Sequence, residues 1–359
     1  MHKANALWNR CSLYILTILI LPFSVASQHS TNEGAPSPPG KLVDIGGRRL
    51  HINCVGKGAP TVVMEAGAGD FSFDWGLVQP QVARFTRVCS YDRAGYAWSD
   101  PGPTPRTMRQ IAFELHTGLL KAGIKGPYIL VGHSLGGAIV RTYVSQYPKE
   151  VAGMVLVDSV HEEGLMGITD RTTRQDKFVR WREQSRGRQI PPIQTAIPHP
   201  QSSSNPQQAR ASSSAQTRVE APFDKLPEIS QQMRLWATSQ PYYNPARSSE
   251  LFDFFPEEMD SLYSEREKSK NPLGAMPLIV LTSTISEYGS ADEQTKARLK
   301  EDRNRLQAEL PLLSSNGKQI VTNKSGHHIQ LDEPDLVIDA IRQAVKASRT
   351  GNKLRGKVD

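Results

Sequence analysis

Gly132-His133-Ser134-Leu135-Gly136 is the stretch of this chain best equipped for covalent chemistry. An apolar run, Tyr128–Val131, leads into it and a helix-forming run follows. A serine held in a sharp strand-to-helix turn presents an exposed hydroxyl, the arrangement of a nucleophile. The glycines have a physical reason: a side chain at Gly132 or Gly136 would clash where strand and helix close on each other. A serine hydroxyl attacks poorly unless a base takes its proton. The candidate base is His327, in Ser325-Gly326-His327-His328, after the last predicted strand and before the last predicted helix. Loops leaving the carboxyl ends of parallel strands gather at one edge of a sheet, so His327 is expected to meet Ser134. His328 is read as structural.

The elements that must position these groups alternate along the chain. Strands are predicted at Leu42–Ile45 and Leu50–Val55 (flanking Gly46-Gly47), Thr61–Met64, Arg87–Tyr91, Tyr128–Val131, Val151–Val157, Pro277–Thr282 and Gln319–Thr322. Thr107–Gly123 reads as a helix with Met108, Ile111, Leu115 and Leu119 on one face, and Pro334 opens another with Val337, Ala340, Ile341 and Ala344 inward. This predicts an α/β fold: a mostly parallel eight-stranded sheet flanked by helices, its core formed by residues 41–160 and 276–347. Residues 161–275 interrupt it after the sixth strand as a partly helical cap, with helices expected at Leu226–Trp236 and Leu251–Tyr263. Within it, about 183–220 is rich in Pro, Gln, Ser and Ala and is expected to be a disordered loop.

Taken together and in order, four pieces resemble the α/β-hydrolase superfamily over residues about 41–346. They are Glu65-Ala66-Gly67-Ala68-Gly69 with Trp75, then Tyr91-Asp92-Arg93-Ala94-Gly95-Tyr96-Ala97-Trp98-Ser99, then Gly132-His133-Ser134-Leu135-Gly136-Gly137, and Gly326-His327. The resemblance is to a serine hydrolase or esterase-like member with a cap insertion. It implies Ser134 as nucleophile, His327 as general base, an acyl-enzyme, a small-molecule acyl substrate, and neither metal nor organic cofactor. It also implies an oxyanion hole from the backbone N–H of Leu135 and, with Trp75 aligned on the family's usual tryptophan, of Ala68. Many relatives carry His-Gly where this chain has Ala66-Gly67, a change to which a backbone donor is indifferent. Most relatives place the third catalytic group, an acid, after the seventh strand. There the chain reads Leu281-Thr282-Ser283-Thr284-Ile285-Ser286-Glu287, with no Asp at the usual offset; Glu287 arrives late and Asp292 later still. Some relatives use an acid after the sixth strand, where Asp158 follows Val157 directly. Held more rigidly, Asp158 is placed ahead of Glu287. Asp92 and Arg93 are read as a structural turn. An Asp nucleophile, as in dehalogenases and epoxide hydrolases, is disfavoured because Ser134 occupies the elbow. The expected activity is carboxylic ester hydrolysis. An acyltransferase using the same triad and a non-catalytic binding protein on the same fold are the alternatives.

Composition bounds the rest. With 38% hydrophobic and 22% charged residues, the chain is no multi-span membrane protein, and three cysteines are too few for a disulfide scaffold. Lys3 and Arg10 near the start, with five basic residues against Asp359 in 346–359, carry all but one unit of the +7 net charge. A body this close to neutral argues against a nucleic-acid partner. Residues 1–27 run from basic through the apolar Leu13–Leu21 to Ser24-Val25-Ala26-Ser27, the order of a secretory signal peptide. The expected location is secreted or periplasmic, with membrane contact only if the signal stays uncleaved. Residues 28–40 read as a flexible spacer and 348–359 as a basic tail. Cys54 and Cys89 fall on neighbouring predicted strands and form either a bridge or two buried thiols. Trp236, Tyr242, Tyr243, Phe252 and Phe255 are cap aromatics that could touch substrate, cap-core packing being the plainer role. His161, Glu162 and Glu163 resemble a metal cluster in composition only and are expected on the surface of the cap hinge.

Overall fold

A computed structural model describes residues 35–169, 176–195, 218–285 and 291–354. The signal segment, residues 196–217 of the expected loop, Glu287 and the end of the basic tail lie outside them. The strands are β1 (Lys41–Asp44), β2 (Arg49–Val55), β3 (Thr61–Glu65), β4 (Val88–Tyr91), β5 (Tyr128–His133), β6 (Val151–Val157), β7 (Leu165–Thr169), β8 (Asp176–Arg180), β9 (Leu278–Ser283) and β10 (Gly317–Thr322). The α-helices are α1 (Gln79–Val82), α2 (Met108–Lys121), α3 (Leu135–Gln146), α4 (Glu228–Thr238), α5 (Tyr243–Phe252), α6 (Phe255–Glu267), α7 (Glu293–Glu309), α8 (Ile329–Asp332) and α9 (Pro334–Thr350).

Eight strands form one sheet in the order β1-β2-β4-β3-β5-β6-β9-β10, and β7 pairs with β8 in a separate hairpin. Pairing is parallel from β4 to β10 and antiparallel where β2 meets β1 and β4. The expected eight-stranded, mostly parallel sheet is therefore present. Gly46 and Gly47 turn β1 into β2 at φ 109° and 90°, with both N–H groups donating to Asp44.

Both faces of the central strands are buried, which is why they read as continuous apolar runs. Leu130, Met154, Leu156, Leu278 and Val280 point to one side, against Leu115 and Leu119 of α2 and Val140 and Tyr143 of α3. Their neighbours Ile129, Val131, Val155, Val157, Ile279 and Leu281 point to the other, against Val337, Ile341, Ala344 and Val345 of α9. Truncating such a side chain to Ala typically costs about 2–5 kcal/mol. Cys54 and Cys89 are register partners on β2 and β4 and are joined in a disulfide.

Several elements differ from expectation. The predicted helix Leu251–Tyr263 is broken at Asp253-Phe254. Pro256 lies in the first turn of α6, where it is tolerated, and a helix running through from α5 would put its ring against the preceding turn. The hairpin β7–β8, α5 and the long α7 had no counterpart among the predicted elements. Residues 183–195 of the expected loose loop are held: Arg188 pairs with Glu257 at 2.8 Å, and Gln194 exchanges hydrogen bonds with Gln110. Helix α9 runs on to Thr350, and Arg349 caps carbonyls of Ala59 and Phe85, so the basic tail begins attached to the body.

Candidate active site

Strand β5 ends at His133, and the chain reverses at Ser134, at φ 52° and ψ −120°, before α3 starts at Leu135. A non-glycine residue in that region costs on the order of 1–3 kcal/mol, which the surrounding packing must overcome. The two glycines make the turn possible. A Cβ on Gly132 would lie 2.5 Å from the Gly136 carbonyl oxygen, and one on Gly136 would lie 2.5 Å from that of Glu65. As first residue of α3, Leu135 has an N–H with no acceptor inside its own helix. Ala68, in the turn after β3, packs against the apolar cluster that contains Leu135.

His133 pairs with Val157 across β5 and β6, so Ser134 and Asp158 follow at adjacent strand ends. The backbone repeats the link, with Ser134 N–H donating to the Val157 carbonyl at 3.1 Å. Asp158 also leaves its strand in the left-handed region, at φ 43°. Its Oδ2 meets Nδ1 of His327 at 2.7 Å. Its Oδ1 accepts from the Ser283 N–H at 3.0 Å and from Arg303 of α7. Burial alone would push this carboxyl up, but the His327 hydrogen bond and the Arg303 charge outweigh it and hold Asp158 below the usual carboxylate range. The His327 side chain stays 49% exposed while Asp158 is 2% exposed. The loop of His327 reaches the elbow: its carbonyl oxygen lies 3.0 Å from Nε2 of His133, the residue before Ser134. Beside His327 opens a cleft of roughly 680 Å³ lined by Asp158, Ala221, Pro222, Lys225, Arg303 and His328.

Asp158 is thus the carboxylate beside His327. Asp292 instead caps α7, accepting from Thr295. Asp92 and Arg93 hold structure, as read. Arg93 is buried and donates to Glu65, to the carbonyls of Ala66 and Gly67 at 2.9 and 2.7 Å, and to Glu250 of α5. It fixes the turn that carries Ala68. Burial pushes Glu65 up to about 7 despite that arginine and a bond from Tyr91. Tyr243 and Phe255 are buried in packing, Tyr243 donating to the Gly69 carbonyl, whereas Phe252 is exposed. His161 and Glu162 correct the expected surface position. Both are buried, and Glu162 is clamped between Arg141 and Arg266 at 2.7 and 3.2 Å. Two groups near the site had no sequence signal. Arg303 comes from a helix with almost no apolar stripe, and Asp70 comes from an unremarkable turn. Burial pushes His133, which faces Asp70, down to about 4.

A family model for the alpha/beta hydrolase fold matches residues 60–334. A protein named "Probable transporter efuK" from Hormonema carpetanum is 37% identical over 142 residues, covering 37% of this chain and 20% of that protein. The chain spans only a fifth to a third of the first few curated relatives it matches. An AB hydrolase superfamily protein from Gibberella zeae is 26% identical over 309 residues, covering 81% of this chain and 87% of that one. Among solved structures, a thermophilic esterase from Thermogutta terrifontis superposes with a TM-score of 0.53 at 19% identity, over 84% of this chain and 95% of that one, a likeness of fold. With its sheet order, its strained elbow and a family match over most of its length, the chain belongs to the α/β-hydrolase fold family.

Proposed function

We propose that this chain is a serine hydrolase that cleaves a carboxylic ester of a small-molecule substrate. The observation that carries the reading is the 2.7 Å contact of His327 Nδ1 with buried Asp158, on the loop that touches the Ser134 elbow. In this reading Ser134 Oγ attacks the acyl carbonyl while Nε2 of His327 takes the hydroxyl proton. The oxyanion is received by the N–H groups of Leu135 and Ala68. His327 returns the proton to the departing alcohol, and water then attacks the acyl-enzyme and releases the acid. Removing one oxyanion donor typically costs on the order of 10²–10³ in turnover. Residues 161–275 act as a cap over the cleft. The pattern of residues 1–27 supports export, as does the Cys54–Cys89 bridge, which suits an oxidising compartment. Among the described residues no helix is long and apolar enough to cross a membrane.

A fluorophosphonate probe tests the reading. Wild-type protein is expected to be labelled and Ser134→Ala to be blank, and a series of p-nitrophenyl esters of graded acyl length then measures the pocket. Correctly folded wild type that resists the probe would overturn it.

A further inference from the structure

Among the described residues, one group of side chains has the makings of a metal site: Asp70, His133 and His328, whose ligand atoms all lie within 4.8 Å of one another. They come from three segments, namely the turn after β3, the end of β5 and the residue before α8. The hydrogen bonds define what faces what. Nε2 of His133 lies 3.0 Å from the His327 carbonyl oxygen. A carbonyl only accepts, so the hydrogen sits on Nε2. Nδ1 then points at Asp70 Oδ2, 3.3 Å away, in a residue only 1% exposed and with no aligned hydrogen-bond partner. In the neutral ring that is a lone pair facing a carboxylate oxygen, an arrangement that asks for a cation between them. Nε2 of His328 approaches the same Oδ2 at 3.6 Å. Gly67 keeps the gap open, because a Cβ there would fall 2.7 Å from both Asp70 Oδ2 and His133 Nδ1.

We propose that Asp70 Oδ2, His133 Nδ1 and His328 Nε2 bind a divalent transition-metal ion of the zinc type. Two imidazoles and one carboxylate favour such an ion over magnesium or calcium. Bonds of about 2.0–2.2 Å at tetrahedral angles put neighbouring ligand atoms roughly 3.3–3.6 Å apart, as at both contacts to Oδ2, and binding would draw the two imidazole nitrogens, which lie within 4.8 Å of each other, to that same spacing. The outer groups fit as well. His133 is oriented by the carbonyl on its other nitrogen, and Asp70 Oδ1 accepts from Arg234 at 3.3 Å. The charge of Arg234 would oppose an ion, but Asp74 also pairs with it and offsets that charge. No step of acyl transfer runs through the ion. It clasps together the turn bearing Ala68, the elbow and the loop bearing His327. The proposal stands on these contacts and not on the proposed hydrolase activity.

The test is a cobalt(II) titration of the full chain, without an affinity tag and stripped with chelator. One equivalent is expected to give visible d–d bands of a nitrogen–oxygen site, to be displaced by zinc(II), and zinc is expected to raise the melting temperature. His328→Gln, at a partly exposed position, and Asp70→Asn should each abolish the bands. Absence of bands at millimolar cobalt, or bands of equal strength in the folded His328→Gln protein, would overturn the proposal.

Discussion

Two histidine–aspartate pairs in this chain share the same contact and differ in everything around it. His327 Nδ1 meets Asp158 at 2.7 Å, and His51 Nδ1 meets Asp92 at 2.7 Å. Serines attend both. Ser72 donates to Asp92 through its N–H and hydroxyl, and Ser99 bridges the His51 N–H to the Asp92 carbonyl. Yet the second pair is fully buried, its imidazole packed on Trp98, and its serine hydroxyls are spent on local bonds. The first pair leaves half of its imidazole open beside a cleft and next to a strained elbow. Residue types and a short contact therefore do not make a catalytic set. What sets the first pair apart is the strained backbone turn of Ser134 beside it and an imidazole open to a cleft, the two features on which the proposed catalysis rests.

The sharpest way to break this comparison is to remove one carboxylate from each pair. Asp158→Asn is expected to lower kcat/KM for an ester by on the order of 10⁴, because the histidine loses its orienting acceptor. Asp92→Asn should leave turnover per folded molecule unchanged. It should instead destabilise the protein by about 1–3 kcal/mol, since an amide N–H₂ would face groups that donate to the carboxylate. Active-site-titrated kinetics and urea unfolding separate the two effects. Hydrolysis silenced in folded Asp92→Asn would erase the distinction.

How far the site was legible follows from the same contrast. The sharp turn at Ser134 and the position of His327 on the loop after the last sheet strand could be read because glycine spacing and element order carry a local signal. Asp158 stands ahead of Glu287 in the sequence because it follows its strand directly, whereas its place beside Ser134 is a matter of register: the pairing of His133 with Val157 sets the two at adjacent strand ends. Arg303 could not be read, because α7 buries little beyond Leu299, Leu306 and Gln307 and shows no helical apolar stripe. Pairs such as Arg93 with Glu250, joining the core to the insertion, have no local signature in either segment. The central strands were legible because both of their faces are buried, whereas the hairpin strands of the insertion are only five residues each and α5 is mostly polar.

A third buried carboxylate sharpens the comparison through pH. Glu258 of α6 is buried without an imidazole beside it and accepts from the Arg109 N–H at 3.2 Å. Burial, only partly opposed by backbone donors, pushes it up to about 8. Because its folded value lies above its unfolded one, the protonated form favours the fold. That contribution is complete below about pH 4.5 and is lost as pH rises to about 8, with a slope of up to about 1.4 kcal/mol per pH unit. Glu258→Gln should flatten this segment of the stability–pH curve measured by urea unfolding, while Asp158→Asn should leave it in place. An unchanged slope in Glu258→Gln would show that the carboxyl is charged in the fold.

Arg303 offers the smallest effect and the finest test. With the Ser283 N–H it occupies Asp158 Oδ1, and it also donates to the Ser283 carbonyl. The carboxylate cannot then rotate, and Oδ2 is left to His327. Asp92 is held instead by serine donors and has no arginine on it. If Arg303 acts by holding Asp158 in place, Arg303→Gln should lower kcat by about tenfold, or about 1.4 kcal/mol, with KM unchanged. Arg303→Lys should recover only part of it, since one ammonium cannot reproduce a planar fork reaching two acceptors. Full recovery by lysine would mean that positive charge alone matters. A loss as deep as that of Asp158→Asn would mean that the carboxylate does not reach His327 without the arginine. An unaltered kcat would remove Arg303 from the site and leave the Ser283 N–H as the sole anchor of Oδ1.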